Sequence, residues 1–128
     1  MKFKPANKIQ DLQYFGEFGG VNPSISDSST YTFLSANKML DTFEGHAPGC
    51  YLYSRHASPS TLYLGEALAA MEGTETANVS GSGMGAITTT LLHFCRAGDH
   101  IVSSRTIYGG TYAFLKNFTP RFNINTSF

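Results

Sequence analysis

Apolar positions recur at helical spacing in two stretches of this chain and fall into shorter extended patterns between and after them. Leu62, Leu64, Ala67, Leu68 and Met71 form one stripe, entered through Ser58-Pro59 as an N-cap followed by proline at the first helical position, and closed by Gly73. Ala86, Ile87, Thr90, Leu91 and Phe94 form the second, which Ala97-Gly98-Asp99 closes. Between the two, Thr76 to Ser80 is predicted to be a short extended piece. His100 to Ser104 and Arg121 to Phe128 read as strands, separated by a third helix that opens at Gly109-Gly110 and runs to about Phe118. From residue 74 onward the order is strand, helix, strand, helix, strand. That alternation is the signature of a parallel sheet with crossover helices, and so of an α/β fold. Three parallel strands with helices on one face leave the other face and both edges bare, so these residues are expected to be the front part of a larger α/β domain.

The first fifty residues carry few regular signals. Gly19-Gly20, the run VNPSISDSSTYTF and the run EGHAPG make a polar, turn-rich arm with scattered aromatics, suited to lying across another surface rather than forming its own core. Within it, Asn37 to Phe43 is predicted to form a short helix with Met39, Leu40 and Phe43 on one side.

Composition narrows the function. A chain of 128 residues that is 41% hydrophobic has the make-up of one soluble globular domain. Nine basic and nine acidic residues, with no basic cluster, provide no electrostatic footprint for nucleic acid or an anionic membrane, so any bound anion must be held locally. The N-terminal MKFKPANKIQ lacks an apolar signal-peptide core, and no stretch has the length of a membrane span, which leads to a cytoplasmic expectation. Cys50 and Cys95 lack CxxC or Cys/His metal spacing and are expected to be buried free thiols. His46, His56, His93 and His100 have no metal spacing either, and no metal is expected.

The densest chemistry lies in NVSGSGMGAITTTLL, residues 78–92. At a strand-turn-helix junction the first helical N–H groups have no intrahelical partner and sit at the positive end of the helix dipole. Glycine lets a ligand approach that backbone, and Ser80 and Ser82 add hydroxyl donors, so the turn reads as a phosphate site. A plain tight turn remains open. So does a dinucleotide fingerprint, Gly81-x-Gly83-x-x-Ala86, with Arg105 available for an NADP 2′-phosphate; against it, the preceding TETANVS is short and polar where that fold needs an apolar strand. No GlyLysSer or GlyLysThr follows, which excludes a Walker loop.

Three strings, in this order and at these separations, go further: Tyr53-Ser54-Arg55, Ser82-Gly83-Met84-Gly85-Ala86 and Tyr108-Gly109-Gly110-Thr111. They resemble the trans-sulfuration family of pyridoxal-phosphate (PLP) enzymes, which includes methionine gamma-lyase, cystathionine gamma-synthase, cystathionine gamma-lyase and O-acetylhomoserine sulfhydrylase. FGEFGGVNPSIS, YLYSRHASPS, EALAAMEG, RTIYGGTYAFL and FNINTSF extend the likeness over nearly the whole chain, and GEFGGVN, YLYSRH and NINTSF are most similar to the plant methionine gamma-lyase branch. The resemblance implies the front part of a fold type I, aspartate aminotransferase-like major domain. Residues 1–57 would be an N-terminal arm crossing to a partner subunit, and residues 58–128 the start of the PLP-binding domain. It also implies roles. Backbone amides of Ser82, Gly83 and Met84 would bind the cofactor phosphate, and Tyr53 and Arg55 would reach the same phosphate in the neighbouring active site. Tyr108 would stack on the pyridine ring and assist proton transfer.

The implied activity is carbon–sulfur lyase chemistry on a sulfur-containing amino acid, by a homodimer or homotetramer with shared active sites. Synthase or sulfhydrylase chemistry on an activated homoserine is the alternative within the family. The family's Schiff-base lysine motif matches none of Lys2, Lys4, Lys8, Lys38 or Lys116, so the chain by itself is expected to be inactive. Two positions depart from common members: Ser58-Pro59-Ser60 stands in place of Asn-Pro-Thr, and Gly110 stands where bacterial methionine gamma-lyases often carry cysteine.

Overall fold

A computed structural model describes residues 19–20 and 22–128; the start of the expected arm, including Lys2, Lys4 and Lys8, lies outside the described residues. The chain divides into two units, Met1–Val79 and Ser80–Phe128.

In the first unit, helix α1 (Ala36–Phe43) begins where Ser35 accepts the Lys38 N–H through its hydroxyl. The predicted apolar side is there, but Leu40 and Phe43 are exposed. Helix α2 (Pro59–Glu72) has the bounds its caps predict. The Ser58 hydroxyl accepts the Thr61 N–H and the Thr61 hydroxyl accepts the Ser58 N–H, a reciprocal capping box with proline in the first turn. At the other end Gly73 takes a left-handed conformation, φ 70°, which costs a glycine little. Helix α2 buries Gly65, Ala67 and Ala69, whereas Leu62, Leu64, Leu68 and Met71 remain exposed. Gly65 is required where it is, because a Cβ there would lie 2.6 Å from the Ala77 carbonyl oxygen. A strap of residues 26–31 crosses the segment before α2. Thr30 bridges Tyr53, the Ser54 N–H donates to the Ser29 carbonyl at 2.9 Å, and the Ser26 N–H donates to the Ser60 hydroxyl at 2.8 Å.

The second unit carries the α/β pattern. Helix α3 (Gly83–Phe94) is followed by strand β1 (His100–Val102), short helix α4 (Gly109–Ala113), a π-helical turn (Phe114–Phe118), a 3-10 turn (Thr119–Phe122) and strand β2 (Asn125–Ser127). The two strands pair in parallel, with His100 opposite Asn125, Ile101 opposite Thr126 and Val102 opposite Ser127. The connection between them is helical, as the alternation requires. Leu115 and Thr119 of that connection and Ile124 after it are buried, and Ala86, Ile87, Leu91, Ile101, Val102 and Leu115 line an open apolar groove of about 440 Å³.

Several expectations are corrected, among them the strand expected over His100 to Ser104, which ends at Val102. Thr76 to Ser80 joins no ladder among the described residues; an extended segment becomes a strand only beside a partner. The third helix does not stay α-helical. Pro120 has no N–H and its ring would collide with the carbonyl four residues back, so the helix widens, with the Thr119 N–H reaching the Phe114 carbonyl. The last strand starts later than Arg121, because the 3-10 turn runs through Phe122 and Asn123 then takes φ 56°. Cys50 and Cys95 are free thiols but only half-buried. No helix among the described residues is long and apolar enough to cross a membrane.

Candidate functional site

The glycine turn acts through its helix. Ser82 is the N-cap of α3, at φ −162° and ψ 156°, and its hydroxyl oxygen accepts the Gly85 N–H at 2.9 Å. The Ala86 N–H then donates to the Ser82 carbonyl at 3.0 Å, which begins the regular ladder. Gly83 and Met84 occupy the first two helical positions, where N–H groups have no acceptor in the helix. Ser82 spends only its oxygen on the cap, so its hydroxyl proton stays available. Ser80 does not supply a second free donor as expected, since its hydroxyl donates to the Ser82 carbonyl at 2.9 Å. Nothing lies within 4 Å of where a side chain would start on Gly81 or Gly83, so the outer face of the turn is open to a ligand. Two convergent N–H groups, a hydroxyl proton and a helix dipole suit a phosphate monoester.

Tyr108 caps α4 with its backbone, taking the Tyr112 N–H at 3.0 Å, and its ring is 70% exposed. The ring folds back over Gly110, so that a Cβ at Gly110 would lie 2.6 Å from Tyr108 Cε1 and 3.3 Å from Met84 Sδ. The Thr111 hydroxyl donates to the same sulfur at 3.7 Å. The expected phosphate turn, Ser82, Gly83 and Met84, and the expected stacking ring, Tyr108, are therefore neighbours within the second unit. Thr111, which touches Met84 on the candidate turn, was not among the residues singled out from the sequence. It was visible only as part of the Tyr108-Gly109-Gly110-Thr111 string, and its sulfur partner is 27 residues away.

Tyr53 and Arg55 form a pair within the first unit. The Arg55 guanidinium carbon stands 5.1 Å from the centroid of the Tyr53 ring, and the strap of residues 26–31 holds Tyr53 and Ser54 by their backbones. The histidines have ordinary surroundings: His46 lies 3.4 Å from Glu44, and His100 Nε2 shares a hydrogen bond with Ser127 Oγ at 2.8 Å. No cluster of three or more His, Cys, Asp or Glu that could hold a metal occurs among the described residues. A dinucleotide fingerprint needs a strand before Gly81, and residues 76–80 do not form one.

Comparison with known proteins agrees with this chemistry. The chain is 44% identical over 129 aligned residues to methionine gamma-lyase of Arabidopsis thaliana, a match covering 97% of this chain and 29% of that protein. It is 34% identical to O-succinylhomoserine sulfhydrylase of Pseudomonas aeruginosa, over 88% of this chain and 27% of that protein. A solved Campylobacter jejuni structure, described as an O-acetylhomoserine (thiol)-lyase and carrying N′-pyridoxyl-lysine-5′-monophosphate, superposes with a TM-score of 0.85 at 26% identity, over 98% of this chain and 31% of that one. The chain thus spans under a third of the length of the relatives it matches. Residues 7–128 match the model of the Cys/Met metabolism PLP-dependent enzymes, and a match over nearly the whole chain shows that it belongs to that family.

Proposed function

We propose that this chain is part of a PLP-dependent carbon–sulfur lyase of the methionine gamma-lyase kind, which consumes methionine and one water and releases methanethiol, 2-oxobutanoate and ammonia. The observation that carries the reading is the 44% identity to the Arabidopsis enzyme across 97% of this chain. The bound cofactor supplies an electron sink for the substrate's alpha carbon.

The residues of this chain bind, orient and move protons. The Gly83 and Met84 N–H groups and the Ser82 hydroxyl donate to the phosphate oxygens, and the positive end of the α3 dipole favours their charge. The Tyr108 ring offers a flat face to the pyridine ring and a hydroxyl that shuttles protons to and from the substrate. Arg55 and Tyr53 serve the phosphate of the partner subunit in a homodimer or homotetramer, the guanidinium as a two-pronged donor and the phenol as a neutral one. The Schiff-base lysine comes from polypeptide outside these 128 residues, since no lysine here stands in the family's motif. We place the enzyme in the cytoplasm on the strength of its two free thiols.

The test is to supply the intact, PLP-loaded protein with methionine alone and assay 2-oxobutanoate and methanethiol. Formation of both supports the lyase. A requirement for an O-acylated homoserine together with a thiol would establish the second reading, a sulfhydrylase, which the match to the Pseudomonas aeruginosa enzyme favours.

A further inference from the structure

Two side chains meet around the place that Gly110 leaves empty, and a third is tied to one of them. Tyr108 Cε1 and Met84 Sδ lie 2.6 Å and 3.3 Å from the position a Cβ would take, and the Thr111 hydroxyl donates to Met84 Sδ at 3.7 Å. Met84 is the second residue of α3, directly on the phosphate turn, and Thr111 is the third residue of α4, directly after Tyr108 and the glycine pair. A thioether is a soft, adaptable acceptor on a side chain with three rotatable bonds. Without a partner its position would be poorly defined. The hydroxyl fixes it, and the sulfur in turn closes one side of the space over which the tyrosine ring folds.

We propose that Met84, Gly110 and Thr111 form a latch that sets the distance and tilt of the Tyr108 ring relative to the phosphate turn, with Gly110 and Thr111 as positioning residues for the reaction. The proposal rests on the reading of Ser82, Gly83 and Met84 as the phosphate turn and of Tyr108 as the stacking ring. The latch acts through two contacts of different kinds. The hydroxyl–sulfur bond ties the start of α4 to the start of α3. The missing side chain at residue 110 lets the ring fold back, since any Cβ there would force the exposed ring outward. The phosphate itself is held by backbone N–H groups, which no side-chain change in the latch removes. The latch therefore governs ring placement and not cofactor capture.

The experiment uses the intact protein loaded with PLP and compares Thr111→Val, Thr111→Ser, Met84→Leu, Gly110→Ala and the Thr111→Val/Met84→Leu double variant. Three quantities are read: the PLP dissociation constant, the visible circular dichroism per bound cofactor, and kcat separately from KM with methionine. If wild-type protein binds no PLP, the functional reading fails before the latch is tested at all. If it binds, Thr111→Val and Met84→Leu should each lower the dichroic band and reduce kcat about fivefold, with PLP affinity changed less than about threefold, in keeping with the loss of one modest hydrogen bond. Thr111→Ser should restore both signals, and the double variant should lose no more than the worse single one. Gly110→Ala should change the dichroic band, because the exposed Tyr108 ring must turn aside from the new methyl group. An unchanged dichroic band and kcat in Thr111→Val would overturn the latch. So would additive losses in the double variant, even if Gly110→Ala proved too unstable to purify.

Discussion

The guanidinium carbon of Arg55 stands 5.1 Å from the centroid of the Tyr53 ring, so the charge is held over an aromatic face before any ligand arrives. An arginine otherwise carries considerable rotamer entropy, and stacking reduces what must be lost on binding. If this pair grips a phosphate in the assembled enzyme, Arg55→Ala removes a charged donor worth about 1.5–3 kcal/mol, which corresponds to roughly ten- to hundredfold weaker PLP binding. Equilibrium dialysis of the intact variant measures it. A variant that purifies with a full complement of cofactor, and keeps it on dialysis, would exclude the role.

Tyr108 provides a separable test of chemistry. Its ring is 70% exposed, so losing the hydroxyl leaves no buried partner unsatisfied and the fold should be indifferent to Tyr108→Phe. Stacking survives in the phenylalanine, whereas proton transfer does not. Turnover of methionine should fall by about 10²-fold with PLP affinity preserved. Unchanged turnover would reduce Tyr108 to a stacking surface.

What could be read from the sequence was what local chemistry decides. The bounds of α2 follow from Ser58, Pro59 and Gly73, each acting within one turn of itself, and the start of α3 follows from Ser82 in the same way. The capped turn at Ser82, the candidate phosphate site, was legible for that reason, because its N–H groups belong to consecutive residues. Elements that depend on distant partners were not. Thr76 to Ser80 is extended but joins no ladder among the described residues, and Arg121 and Phe122 belong to a 3-10 turn that Pro120 imposes. The contact of Thr111 with Met84 was equally invisible, since nothing in a string of letters places residue 111 beside residue 84. The leucine stripe of α2 was read correctly as helical, yet the residues it buries are Gly65, Ala67 and Ala69; periodicity identifies the helix but not which side lies against its neighbours.

Gly65 tests how α2 is packed. The chain from Ala77 approaches the helix so closely that a methyl group at residue 65 would meet the Ala77 carbonyl oxygen at 2.6 Å. Alanine is the better helix former, and on propensity alone Gly65→Ala would stabilise. The steric conflict is with backbone, which cannot rotate away as a side chain could, so the expected net effect is a loss of about 1–3 kcal/mol. Thermal unfolding of the intact protein decides between the two. A raised melting temperature would mean that the Ala77 segment yields freely.

Tyr51 predicts how stability responds to alkali. Its hydroxyl is pushed above its ordinary value of 10.0, mainly by burial and then by the nearby Tyr31, Glu66 and Cys50, and its ring lies 5.3 Å from that of Tyr31. The fold thus prefers the neutral phenol. The unfolded chain loses this proton at about pH 10 and the folded chain only at higher pH, so the stabilising contribution is complete below 10 and is lost as pH rises through the folded value. Tyr51→Phe removes that titration while leaving Tyr31, Glu66 and Cys50 in place. Melting curves of both proteins between pH 8 and about pH 11 should differ by a constant amount up to pH 10. Above that, the wild type should lose stability faster than the variant, because only the wild type has this proton to release on unfolding. Parallel curves across the whole range would show that the Tyr51 environment in the folded protein does not favour the neutral form.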